Sequence, residues 1–147
     1  HFVRSKLEYA SQIWDPHTLK DTNQLEMIQR KAIRFIFNKY KQLDSPSALM
    51  TKNKIFSLQS RRKFHRIKFP HNMLAGGLNV GDLSYLRSIT TRRTRHTRPH
   101  ALKPIFAKTK TFQNSFFPKT IADWNRLPDS VIMSPHFVKA LEEHIFC

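Results

Sequence analysis

TLKDTNQLEMIQRKAIRFIFNKY, residues Thr18 to Tyr40, repeats its apolar side chains at the helical period, with Leu25, Ile28, Ala32, Phe35 and Ile36 on one stripe. Thr18 followed three residues later by Asp21 has the form of a capping box, so the helix starts there. The other face carries Arg30, Lys31, Arg34 and Lys39. Cations toward the C-terminal half complement the helix dipole, and a solvated stabilising face explains them as well as a binding face does. A long amphipathic helix of this kind sets the fold class as mainly α, with the apolar stripe expected to face the core.

The same reading extends in both directions. Upstream, FVRSKLEYASQIWDP places Val3, Leu7, Ala10 and Trp14 on one helical face, and Asp15-Pro16 stops the helix. Downstream, Ser45-Pro46 starts a short helix, with Asp44 or Ser45 as cap and Pro46 in the first helical position. SLQSRRKFHRIKFPHNMLAGG gives another from about Ser57, with Leu58, Phe64, Ile67, Met73 and Leu74 on its apolar side. Pro70 is expected to kink or end it, and Gly76-Gly77 to interrupt regular structure. From Ile89 to Lys110 the helical period is lost: ITTRRTRHTRPHALKPIFAKTK is rich in Thr, Pro and Arg, with PIFAK as a possible short strand. After Ser115 the pattern turns helical again, Leu127-Pro128 ends that helix, and Ser134-Pro135 opens a last one with Phe137, Leu141 and Ile145 on its face. The expected fold is a small irregular helical bundle with a basic, Pro/Thr/Arg-rich loop and one possible short strand or hairpin. The segments expected are a helical part over 1–88, a basic loop or arm over 89–111 and an aromatic helical part over 112–147.

Charge bounds the function. The 147 residues hold 26 Lys or Arg against 10 acids, a formal net charge of +16. Fifteen of those cations and one acid, Asp82, lie between Thr51 and Lys110. Self-repulsion on that scale is relieved by a polyanion, which points to RNA or DNA as partner. We nominate Arg61, Arg62, Lys63 and Arg66 on the helix after Ser57, and Arg92, Arg93, Arg95 and Arg98 in the loop, as phosphate ligands. Thr91, Thr94 and Thr97 interleave with the loop arginines, which suits a single strand or a hairpin, while duplex DNA stays open. No apolar run approaches the length of a membrane span, and no lipidation or secretory signal is visible, so no membrane partner is expected.

Chemistry for catalysis is missing from the sequence. Three glycines form no phosphate loop, and Glu142-Glu143, the one adjacent acid pair, diverges on a helix. No Ser, His and Asp set occupies a nucleophile turn. A single cysteine, Cys147, leaves no zinc ribbon, and His96 and His100 are separated by Pro99 among arginines, so we read them as loop histidines without a metal. Neither catalysis nor a cofactor is expected of this chain alone.

Two stretches carry a family resemblance. VRSKLEYASQIWDP with the helix LEMIQRKAIRFI, and far downstream SFFPKTIADWNRLP, resemble the region after the polymerase core in reverse transcriptases of non-LTR retrotransposons, the jockey-like LINE elements of animals. TRRTRHTRPH lies between them as the Arg-rich segment does in such proteins. The most specific part is Ser115, Phe116, Phe117, Pro118, Thr120, Trp124, Asn125, Leu127 and Pro128. The resemblance implies a thumb-side, C-terminal piece of a multidomain RNA-directed DNA polymerase with an endonuclease and a nuclear location. It also implies the upstream polymerase domain as a partner, with Mg²⁺ held there by paired aspartates. This chain has no Asp-Asp pair, and no cysteine-rich knuckle follows. It begins at His1 rather than Met, which we read as a piece of a longer product. The resemblance thus implies a nucleic-acid-binding accessory region; a docking module and the relic of a degenerate element are the alternatives. In FQNSFFPKTIADWNRLP the helical spacing of Phe117, Ile121 and Trp124 favours a packing role over base stacking, with Asn125 and Pro128 shaping the exit.

Overall fold

The computed structural model describes residues 2–41, 44–76, 86 and 98–146. Its described residues are mainly helical and contain no strand. In chain order the helices are α1 (Phe2–Glu8), α2 (Ser11–Trp14), α3 (Leu19–Ile36), α4 (Pro46–Lys52), α5 (Leu58–Leu74), α6 (Lys110–Gln113), α7 (Phe116–Asn125), α8 (Asp129–Ile132) and α9 (Phe137–Phe146). The chain divides into two compact units, His1–Lys63 and Phe64–Cys147. The division falls inside α5; the expected boundary at 88–89 lies outside the described residues.

In the first unit, α3 packs against α1 and α4. Its start is as read: the Thr18 hydroxyl accepts from the Asp21 N–H at 3.2 Å and donates to the Asp21 carboxylate. Ser45 caps α4, accepting from Ala48 N–H at 3.4 Å, with Pro46 in the first turn. Two expectations fail here. The helix expected across Phe2 to Trp14 is broken at Ala10, whose φ of 50° lies in the left-handed region. Tyr9 and Ala10 form a turn, so Leu7 and Trp14 belong to different helices. The second failure concerns the face of α3. Its buried residues are Gln29 and Ile33, while Ile28, Phe35 and Ile36 of the apolar stripe are exposed. Polar contacts fix the inward face: the Gln29 amide donates to the Phe56 carbonyl at 3.1 Å, and Glu26 accepts from Gln59 N–H at 3.0 Å.

The second unit holds a continuous apolar core. Ile67 and Met73 from α5 meet Ile121 and Trp124 from α7, Val131 from α8, Phe137 and Leu141 from α9, and Leu86, Leu102 and Leu127 between helices. Burying side chains of this size stabilises by about 1.5–3 kcal/mol each before conformational entropy is counted. Pro70 is fully buried, and α5 runs one turn past it to Leu74 instead of ending there; the helix loses only the bond that a residue-70 N–H would have made. Gly76 closes the helix in a left-handed conformation at φ 73°, with its N–H bonded to the Met73 carbonyl. α8 is an unexpected single turn after Pro128, and α9 starts at Phe137, two residues later than read.

Candidate nucleic-acid interface

The structure divides the nominated cations by environment. Arg61, Arg62 and Arg66 are buried. Arg61 Nε lies 2.8 Å from Glu8 Oε1. Arg62, only 2 % exposed, donates to the Leu7 carbonyl at 3.3 Å, sits 4.0 Å from Asp15 and lies 4.7 Å over the Trp14 ring. Burial lowers its pKa from the usual arginine value, with Asp15, Glu26 and Glu8 pulling the other way. Arg66 pairs with Asp123. These three guanidinium groups therefore face carboxylates, a carbonyl and an indole inside the protein rather than solvent. The expectation of an exposed basic face built on them is corrected, because a buried, internally paired guanidinium does not meet a phosphate backbone. Lys63 is half-buried. Arg92, Arg93 and Arg95 lie outside the described residues.

Arg98 leads into a different arrangement. It is exposed, and its guanidinium donates to the Leu127 carbonyl. Pro99 and His100 form a turn, closed by a bond of 3.2 Å from Ala101 N–H to the Arg98 carbonyl. The chain then leaves in an irregular path held by α7. Trp124 Nε1 donates to the His100 carbonyl at 3.0 Å. Asn125 completes the hold with both ends of its amide: Oδ1 accepts from Leu102 N–H at 2.9 Å, and Nδ2 donates to the Leu102 carbonyl at 2.9 Å. The Leu102 side chain enters the core while its backbone is satisfied by one asparagine.

What this clamp presents is basic and aromatic. Lys103, Lys108 and Lys110 are exposed, Phe106 is 82 % exposed, and Phe112 is exposed on α6. Thr109 caps α6, accepting from Phe112 N–H at 3.2 Å, and so sets where Lys110 and Phe112 leave the backbone. PIFAK, a possible strand by its sequence, takes an irregular path here. In sequence, lysines interleave with phenylalanines over Lys103 to Phe112.

The motif residues divide cleanly. Pro118, Ile121, Trp124 and Leu127 are buried; Phe116, Phe117, Asn125 and Pro128 are half-buried. Phe116 stands edge-on to Phe69 at 5.3 Å and to Phe117 at 5.1 Å, and Trp124 lies 5.7 Å from Phe137. Packing, together with the hold on residues 100–102, is their work. Among the described residues no group of three or more His, Cys, Asp or Glu is placed to hold a metal ion, and no helix is long and apolar enough to cross a membrane. No family model, curated protein or solved structure matches the chain.

Proposed function

We propose that this chain is a nucleic-acid-binding accessory module, gripping RNA or DNA through the segment from Arg98 to Phe112. One observation carries the reading: Lys103, Lys108 and Lys110 stand exposed around an almost fully exposed Phe106, on backbone anchored by Trp124 and Asn125. The lysines neutralise phosphates and the rings offer faces to bases. Arg92, Arg93 and Arg95 precede this segment directly and extend the same basic run in sequence. The retroelement setting rests on the resemblance of the Ser115–Pro128 run and the flanking segments. In that setting polymerase chemistry belongs to an upstream domain, and this chain holds template or target.

Binding of labelled single-stranded RNA and duplex DNA to the purified chain, measured by anisotropy across a salt series, tests the proposal. The expected log–log slope is about −0.7 per neutralised phosphate for a single strand and about −0.9 for B-DNA. Absence of binding at low salt, or binding that ignores salt, overturns it.

A further inference from the structure

Part of the apolar stripe of α3 is left in solvent, with Leu25 and Ala32 half-buried and Ile28, Phe35 and Ile36 exposed. Leu25, Ile28, Ala32 and Phe35 follow one another at spacings of three, four and three, the a/d register of a helix that packs along another helix. Yet Ile28 is 45 % exposed, Ile36 68 % and Phe35 77 %, and Met27 beside them is half exposed. Contiguous residues of this size left in water mark a contact surface more often than a solvated face. The unit holds α3 by the neighbouring side, through Ile33, the Gln29 bond to Phe56 and the Glu26 bond to Gln59, which leaves Ile28 and Phe35 uncovered.

The charges around the stripe select the partner. Lys20, Arg30 and Lys31 are exposed along α3, and Lys39 and Lys41 continue just beyond its end. The one exposed acid on the helix, Asp21, lies in its first turn and is bonded to Thr18. A second copy of the chain would bring two such rows of cations together, in a protein of net charge +16. A bilayer surface would favour a broad apolar face, whereas this seam is flanked at once by Gln24 and Lys31. A base can stack on Phe35, but nucleic acid offers nothing to the aliphatic Ile28, Ile36 and Met27 that make up the rest of the surface. We infer that the exposed face of α3 docks an acidic amphipathic helix of another protein, its apolar seam on Ile28 and Phe35 and its carboxylates toward Lys20 and Lys31.

A synthetic three-heptad peptide with leucine at a and d and glutamate at e and g, labelled with fluorescein, is the probe. Titrated with the full 147-residue chain at moderate salt, it should bind saturably at one to one. The double substitution Ile28→Ala/Phe35→Ala should weaken binding roughly tenfold or more, as loss of two central apolar anchors does, and Lys31→Glu should weaken it several-fold. Both variants should keep the parent's circular dichroism and melting curve, because the altered side chains are exposed. Both should also keep the parent's affinity for single-stranded RNA, which separates this surface from the Arg98–Phe112 segment. No peptide binding, or unchanged binding by the double variant, overturns the inference. So does loss of RNA affinity in that variant, a dimer in sedimentation that the double substitution disperses, or capture by phosphatidylserine vesicles through the same two residues in place of the peptide.

Discussion

Helix α5 and the segment from Arg98 to Phe112 are both rich in cations, and they use them in opposite ways. On α5 the arginines turn inward: Arg61 to Glu8, Arg62 to Leu7, Asp15 and Trp14, Arg66 to Asp123. On the later segment Lys103, Lys108 and Lys110 stay in solvent beside Phe106. The side-chain chemistry accounts for the difference. A guanidinium has five donors in a plane and can satisfy a carboxylate, a carbonyl and a ring face at once, so it tolerates burial; an ammonium holds its water more strongly. Density of positive charge along a chain is therefore a poor guide to where a polyanion sits; burial and internal pairing decide it.

Substitutions can break or sharpen that contrast. The largest expected effect is on the core that holds both regions: Trp124→Ala should cost about 3–5 kcal/mol in denaturant unfolding, by loss of a buried ring and of the bond to His100. Arg66→Ala should cost about 3 kcal/mol and Arg66→Met clearly less, because the first strands Asp123 beside a cavity while the second keeps the volume. If Arg66→Ala left stability intact and reduced RNA affinity instead, the contrast would collapse. Asn125→Ala should cost about 2 kcal/mol by leaving both polar groups of Leu102 without a partner, and RNA affinity should fall with it as the segment loses its anchor. Least in stability comes the triple change Lys103→Gln, Lys108→Gln and Lys110→Gln, expected within about 0.5 kcal/mol of the parent. Its effect belongs in binding, where the salt slope for a single strand should become shallower by about 2.

Arg62 adds a sign to this comparison. Burial lowers its pKa in the folded chain below the unfolded value, so the unfolded chain holds that proton more tightly. The charge is thus a cost to stability at all pH below the folded pKa, and the cost fades only as pH rises through that value. Arg62→Met should accordingly destabilise less than Arg62→Ala, which removes the packing on Trp14 as well.

Local signals in the sequence were read well where the structure answers them locally. Thr18 and Ser45 cap as their spacing to the next donors implies, and the stripe Phe117, Ile121, Trp124 turns inward as its period implies. Periodicity identifies which residues share a face; it carries no information on whether a neighbour covers that face. That is why the stripe of α7 ends in core while the like-patterned stripe of α3 leaves Ile28, Phe35 and Ile36 in solvent. The break at Ala10 has no glycine or proline to announce it. Pairings such as Arg66 with Asp123 and Asn125 with Leu102 join residues 57 and 23 positions apart, beyond any window of local pattern. The candidate site was half legible for the same reason: its lysines and phenylalanines are written in order, while the clamp that presents them comes from another helix.

The buried ion pairs also decide how the protein can be handled at the bench. Mobile ions at 1 M salt screen charges beyond about 3 Å in water, which is enough to strip a polyanion from surface lysines. They have little access to Arg62 or Arg66, whose partners lie within the protein. A concentrated salt wash should therefore release nucleic acid from the folded chain without loosening it, and the absorbance ratio at 260 and 280 nm should drop while the circular dichroism holds.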